Sequence, residues 1–191
     1  MPPLPHSAST SAIVSLLDEE HATRVHKLWA QLRDEFGVRF LYEQVPIPHF
    51  SYHVASVYDR EKTQTLLKEI AGRMKPFTAK TGGLGIFTGA QPVLFVNVAR
   101  SPELARMHDT LWPALAALSE DAQAFYQPTA WMPHITLAQG DLSHDKLLEV
   151  LRWLSSQDFN WTFEVNTLTM IEWTGTRNEV HQFRFNGDSA S

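Results

Sequence analysis

The sequence predicts an α+β fold in which two pseudo-equivalent lobes share one domain. Its 191 residues suit a single domain, or two small lobes with a common core. The predicted elements follow the order β-α-β-α-β-β and then α-β-α-β-β, so the second half echoes the first. No low-complexity segment or long linker separates the two halves. We therefore expect a flexible, proline-rich lead-in at residues 1–10 and a single domain at residues 11–191.

Hydrophobic periodicity defines the elements of the first half. Val25, Leu28 and Leu32 recur at helical spacing, whereas residues 49–57 alternate and are rich in aromatic and β-branched side chains. The predicted elements are strands at 12–17 and 49–57, helices at 18–36 and 59–74, and a strand pair at 77–87 and 92–99. One helix and two further strands thus follow the histidine-bearing strand.

The second half repeats this order. Ser101, Pro102 and Glu103 predict a helix start, because serine caps a helix, proline suits its first position and an acidic residue favours its first turn. That helix is expected to reach about Tyr126, with a kink or break at Pro113. The remaining predicted elements are a strand at 131–138, a helix capped by Asp141 or Ser143 that ends near Ser156, and strands at 159–172 and 179–186 joined by a turn at Gly175.

The composition excludes several classes of function. A formal net charge of −5 and a pI near 6.0 argue against a broad, non-specific nucleic-acid binder. The chain has no cysteine, which excludes disulfides, thiolate catalysis and zinc–thiolate sites and fits a cytoplasmic location. No apolar run approaches the roughly 18 residues that a membrane helix needs, and the N-terminus does not resemble a secretory signal. We expect a monomer without membrane contact.

Two copies of one short pattern stand in equivalent places of the two halves. Residues 47–52 (IPHFSY, the first motif) and 132–137 (MPHITL, the second motif) each read apolar, proline, histidine, apolar, hydroxyl, apolar. The histidines are His49 and His134. One copy alone is compatible with a packed core histidine, but two copies on strands that each precede a helix are a much stronger signal.

Strand geometry predicts what the motifs present. Side chains at positions i and i+2 project from one face, so His49 projects with Ser51, and His134 projects with Thr136. If the lobes pack around a pseudo-twofold axis, two imidazoles and two hydroxyls surround one point. Such a set suits phosphodiester chemistry, because one imidazole takes a proton, the other donates one, and the hydroxyls bind the charged phosphate oxygens.

On these motifs the sequence resembles the 2H phosphoesterase superfamily, within its 2′-5′ RNA ligase-like and cyclic phosphodiesterase group. The resemblance spans about residues 11–186 and includes a glycine-rich hairpin at 83–87 and 92–96. It implies a bilobal α+β fold, with two pseudo-symmetric lobes of antiparallel strands, outer helices and a central cleft.

The resemblance also implies an activity. Members hydrolyse 2′,3′-cyclic phosphates or 2′-5′ phosphodiesters without a metal, so no cofactor is expected. In the family pattern, His49 is the acid, His134 is the base, and Ser51 and Thr136 bind the phosphate. Residues 138–141 (AQGD) supply no basic residue after the second motif, where many members have one. We therefore expect the substrate to be a small cyclic nucleotide or an RNA terminus, without extended nucleic-acid binding.

Three more side chains are candidates for substrate contact. His53 shares the predicted strand face of the first motif, Trp131 directly precedes the second motif, and Lys80 precedes the glycine turn. Trp131 is a candidate to stack on a base, and Lys80 to reach a phosphate. Each has an ordinary alternative, which is packing for His53 and Trp131 and a solvated surface position for Lys80.

Two other functions stay open on the sequence. A metal-dependent hydrolase would use His49, His53 and His134 as ligands, although neither strand has a carboxylate at comparable spacing. A binding-only member of the family would hold nucleotides or RNA ends in the same cleft with little turnover. We expect no metal at the site.

Overall fold

The chain forms ten strands and five α-helices in the computed structural model, which describes residues 10–173 and 177–187. The predicted lead-in, up to residue 9, and the turn predicted at Gly175 lie outside the described residues. The strands are β1 (Ser11–Leu16), β2 (His49–Ala55), β3 (Val57–Tyr58), β4 (Phe77–Phe87), β5 (Val93–Val98), β6 (Ser119–Glu120), β7 (His134–Ala138), β8 (Thr162–Val165), β9 (Thr167–Trp173) and β10 (Asn178–Arg184). The helices are α1 (Glu19–Phe36), α2 (Phe40–Gln44), α3 (Arg60–Arg73), α4 (Pro102–Ala116) and α5 (His144–Leu154).

Eight of the strands form one antiparallel sheet with the two motif strands at its centre. The order is β10-β9-β1-β2-β7-β5-β4-β8, so β2 and β7 have three strands on either side. The structure confirms the predicted α+β class and the two pseudo-symmetric lobes. β2 with β1, β9 and β10 forms the first lobe, and β7 with β5, β4 and β8 forms the second.

The lobes do not correspond to the two halves of the sequence. β4 and β5 belong to the first half of the sequence but lie in the second lobe, beside β7. β9 and β10 belong to the second half but lie in the first lobe, beside β1. The helices cross in the same way, because α1 packs on β7 and α4 packs on β2. Each motif strand is therefore supported by a helix that follows a strand of the other lobe.

A single residue pair joins the lobes within the sheet. Among the described residues, the β2–β7 ladder consists of Phe50 opposite Ile135. Both side chains are fully buried in the core. The chain thus brings its two motifs together at one narrow seam, with strands that separate on either side of it.

Local capping signals set the helix boundaries as predicted. The Asp18 carboxylate accepts from the His21 amide at 2.9 Å at the start of α1. Gly37 ends that helix in the left-handed conformation, with φ of 64°, which glycine adopts at little cost. Asp59, Ser101 and Ser143 cap later helices in the same way. Over the described parts of the chain, none of the helices is both long and apolar enough to cross a membrane.

Several predicted elements were wrong in extent. The strand expected at 49–57 divides into β2 and β3, which lie in different sheets, and the strand expected at 131–138 begins at His134. The helix expected to reach Tyr126 ends at Ala116, three residues after Pro113, and the chain then forms β6, which pairs with β3. The strand expected at 159–172 is two strands, broken at Asn166. The break has a topological cause, since β8 pairs with β4 at one end of the sheet whereas β9 pairs with β1 and β10 at the other.

The buried pair at the seam should contribute to the stability of the fold as a core contact. We expect Ile135→Ala to lower the free energy of unfolding by about 2–5 kcal/mol, because it leaves a cavity beside Phe50. Leu148→Ala is the matched control, since Leu148 is 68% exposed on α5 and its truncation should change stability by less than about 0.5 kcal/mol. Urea denaturation measures both. Equal losses in the two variants would contradict this view of the seam.

Candidate active site

The register of the seam brings the four motif side chains together. Because Phe50 lies opposite Ile135 on antiparallel strands, Ser51 lies opposite His134 and His49 lies opposite Thr136. The two histidines are then diagonal neighbours across the seam. All four motif side chains are partly accessible, unlike the buried pair between them. The register therefore puts two imidazoles and two hydroxyls on one face of the sheet at the seam.

Each imidazole is held through the same ring nitrogen. Nδ1 of His49 lies 2.6 Å from the carbonyl oxygen of Ile47, and Nδ1 of His134 lies 2.7 Å from that of Met132. A carbonyl oxygen only accepts, so Nδ1 carries the hydrogen and donates in both cases. Nε2 of each ring is left to exchange a proton with a bound group. A proline stands between each carbonyl and its histidine, and its fixed φ restrains the backbone that makes this bond.

Burial shifts both histidines toward the neutral form. The pKa of His49 is lowered by desolvation, and the hydrogen bond to Ile47 opposes this. The pKa of His134 is also lowered, first by desolvation and further by the charge of His49, against the bond to Met132. Charging both rings at once is therefore disfavoured. The site favours states in which at most one imidazole carries a proton on Nε2.

Two phenylalanines enclose His134. The rings of Phe87 and Phe95 each have their centroid 5.0 Å from that of the imidazole. Phe95 covers Gly85, where a Cβ atom would clash with the phenylalanine ring. The glycine-rich hairpin thus allows an aromatic ring to lie close against the strand and desolvate the histidine. The sequence indicated the hairpin but not these ring contacts, which join separate strands.

Tyr126 contacts the first motif and was not predicted. It lies in a 3-10 turn, and its buried hydroxyl lies near the Ser51 side chain. Burial raises the pKa of Tyr126 to about 12, although the nearby Ser51 side chain lowers it, so the hydroxyl stays protonated and able to donate. No local pattern identifies this residue, because it precedes the second motif by several residues and packs against the first.

The structure corrects the roles expected for His53 and Trp131. His53 is fully buried, with Nδ1 2.5 Å from the Tyr58 hydroxyl, and burial together with the charge of His108 lowers its pKa to about 4. A bulge at Tyr52 interrupts the strand alternation that placed His53 beside the first motif.

Trp131 is only 3% exposed, and its indole N–H donates to a backbone carbonyl of β2. Both His53 and Trp131 therefore belong to the packing behind the motifs and not to a surface that a substrate contacts. Lys80 is exposed on β4, two strands beyond β7 in the order of the sheet. Its contact with phosphate stays a prediction.

One cluster of possible metal ligands lies in the first lobe, apart from the two motifs. Within the described residues, Glu172, Glu179 and His181 are the group whose ligand atoms all lie within 4.8 Å of one another. Arg60 already pairs with both carboxylates, at 3.2 Å and 2.8 Å. The three histidines considered above as metal ligands do not form such a group. The cluster on β9 and β10 is therefore an ion-pair network away from the motifs.

Comparison with known protein families agrees with the geometry. The model of the 2′-5′ RNA ligase superfamily matches residues 17–177, which include both motifs. A candidate phosphoesterase of Bacillus cereus strain G9842 is 30% identical over 133 residues, which cover 68% of this chain and 72% of that protein.

Comparison with solved structures shows the same fold. A Thermus thermophilus protein superposes with a TM-score of 0.60 at 16% identity, covering 94% of this chain and 99% of that one. Escherichia coli LigT, solved in complex with 3′-AMP, superposes with a TM-score of 0.56 at 17% identity, covering 92% and 94%. At these identities the likeness establishes the architecture alone.

The burial of the histidines can be tested by NMR titration. We expect the imidazole pKa values of His49 and His134 to lie below the ordinary value of 6.5. In His49→Gln, the pKa of His134 should rise, because the neighbouring positive charge is gone. A pKa above 6.5 for either ring in the unliganded protein, or no rise in the variant, would contradict the described site.

Proposed function

Since this chain belongs to the 2′-5′ RNA ligase superfamily, we propose that it is a metal-independent phosphodiesterase. Its substrates are 2′,3′-cyclic phosphates of nucleotides or RNA ends, or 2′-5′ phosphodiesters. One observation carries the proposal. The pairing of Phe50 with Ile135 makes His49 and His134 diagonal neighbours across the seam. In each ring Nδ1 donates to a backbone carbonyl, so Nε2 is the nitrogen that can exchange a proton with a substrate. Two histidines in different protonation states can then act as acid and base in one step.

The proposed reaction is an in-line hydrolysis. Nε2 of His134 takes a proton from water, whose oxygen attacks phosphorus. The bond from phosphorus to one ribose oxygen breaks, and Nε2 of His49 protonates the leaving oxygen. The assignment of acid and base follows the family pattern. The product of a cyclic substrate is a nucleoside monophosphate, and the two histidines return to their starting states through solvent.

Ser51 and Thr136 bind the phosphate in this scheme. Each hydroxyl lies opposite a histidine in the register, which supports a role for both beside the phosphorus of a bound substrate. Their hydrogen bonds to the non-bridging oxygens stabilise the charge that grows in the transition state. Tyr126 lies beside Ser51, and its hydroxyl stays protonated because burial raises its pKa to about 12.

The expected substrate is small. Residues 138–141 after the second motif have no cation to follow a nucleic-acid backbone. Escherichia coli LigT was crystallised with 3′-AMP, with ATP and with NADP⁺, which favours a nucleotide-sized ligand for this chain as well. An RNA terminus fits the proposal when only its last nucleotide enters the cleft, and this would place the protein in RNA processing.

A panel of 2′,3′-cyclic nucleotides tests the function. We expect turnover that a chelator does not reduce, and a loss of about 10²–10⁴ in kcat/KM for His49→Ala and for His134→Ala, because each removes a proton-transfer group. Ser51→Ala and Thr136→Ala should lower kcat/KM by up to about 10², because the hydroxyls bind the phosphate oxygens in the bound substrate and in the transition state.

His144→Ala is the matched control, since His144 is an exposed histidine at the start of α5. It should retain wild-type turnover. Full activity in either motif-histidine variant would disprove the proposal, and loss of activity with chelator would favour the metal-dependent alternative. Nucleotide binding without turnover of any member of the panel would favour the binding-only alternative.

A further inference from the structure

Each motif strand has a β-bulge directly after its hydroxyl residue. In the pairing of β1 with β2, Tyr52 is skipped, so the bulge follows Ser51. In the pairing of β5 with β7, Leu137 is skipped, so the bulge follows Thr136. A bulge bends its strand, breaks the ladder locally and re-aims side chains. Both motif strands therefore have a β-bulge at the equivalent position, directly after the hydroxyl residue.

A buried indole binds the backbone at each bulge. The Nε1 hydrogen of Trp131 is donated to the carbonyl oxygen of Ser51 at 2.8 Å, and that of Trp29 to the carbonyl oxygen of Thr136 at 3.2 Å. The two tryptophans are 3% and 4% exposed. They come from unrelated parts of the chain, since Trp29 lies on α1 and Trp131 lies in the segment before β7.

The bulges explain why these carbonyls need a donor. A buried carbonyl without a partner costs stability, and the ladder is interrupted at both residues. The seam cannot compensate, because in the described chain it ends after the pair Phe50 and Ile135. An indole N–H supplies the bond that a regular neighbouring strand would otherwise make.

The donor at the first bulge is itself held firmly. The ring of Trp131 stacks on that of His108 with centroids 3.9 Å apart and planes 5° from parallel. His108 donates through Nε2 to the carbonyl of Tyr52 at 3.1 Å. The stacked pair of Trp131 and His108 thus binds the carbonyls of Ser51 and Tyr52, the two residues at the first bulge, and fixes the backbone there.

We propose that Trp131 and Trp29 are positioning residues that aim the Ser51 and Thr136 hydroxyls at the phosphate. The carbonyl that each indole holds belongs to the same residue as the hydroxyl, so the bond fixes the direction in which that hydroxyl projects. The role in turnover rests on the proposed function, whereas the role in phosphate binding does not. Neither tryptophan touches the substrate.

The test replaces each indole by a ring of similar shape without the donor. We expect Trp131→Phe and Trp29→Phe to weaken 3′-AMP binding, measured by calorimetry, by about fivefold or more, the scale of one lost hydrogen bond. Trp161→Phe is the matched control, because its buried indole donates to the carbonyl of Asp158 at 2.9 Å, away from the motifs. That variant should lose similar thermal stability but bind 3′-AMP as the wild type does.

Double-mutant cycles separate positioning from a general loss of structure. If Trp131 acts through the Ser51 hydroxyl, Trp131→Phe should weaken binding in the wild type but have almost no effect in Ser51→Ala. The pair Trp29 and Thr136 should behave in the same way. The crossed pairs, Trp131 with Thr136 and Trp29 with Ser51, should be closer to additive.

Failure of the positioning role and failure of the proposed activity would give different results. Additive effects within the matched pairs, or equal weakening of binding by Trp161→Phe, would overturn the positioning role even if the histidine variants behave as a phosphodiesterase requires. If no cyclic nucleotide is hydrolysed, non-additive binding within the matched pairs still supports the positioning role while the proposed activity fails. A wild-type chain that does not bind 3′-AMP would overturn both.

Discussion

The site depends on the pairing of Phe50 with Ile135. This pair is fully buried, and it is the ladder contact between the two lobes in the described chain. A slip of one residue at the seam would turn every motif side chain to the other face of the sheet. The hydrophobic core therefore fixes the register, and the register fixes which histidine lies beside which hydroxyl. Stability and function share one constraint here, although the residues that supply them alternate along the same two strands.

Burial of the imidazoles is the second feature that shapes the site. Removing His49 and His134 from water lowers their pKa values, and the charge on one disfavours a charge on the other. A bound phosphate anion acts in the opposite direction, because it stabilises a nearby imidazolium. In the proposed function, substrate binding is therefore linked to uptake of a proton, which prepares the acid only when there is a leaving group to protonate. The bonds from Nδ1 keep the rings oriented throughout this change.

Much of the fold and the centre of the site follow from local sequence. Helix caps such as Asp18 and Gly37, and the spacing of histidine and hydroxyl within each motif, depend on residues a few positions apart. The predictions that were wrong involve residues that are distant in sequence, or a break in regular strand geometry. The alternation of side chains along a regular strand predicted His53 beside the first motif. The bulge at Tyr52 breaks this alternation, and the His53 side chain is buried in the core. The partners that hold the motifs, including Tyr126, come from segments that only the folded topology brings together.

A crystal structure of the protein with 3′-AMP bound would show whether both motifs hold one phosphate. We expect the phosphate to lie between the two motifs, within hydrogen-bond distance of Nε2 of both His49 and His134. The hydroxyls of Ser51 and Thr136 should bind its remaining oxygens. A phosphate that contacts only one motif, or that binds elsewhere on the sheet, would contradict the claim that the seam assembles a two-histidine site.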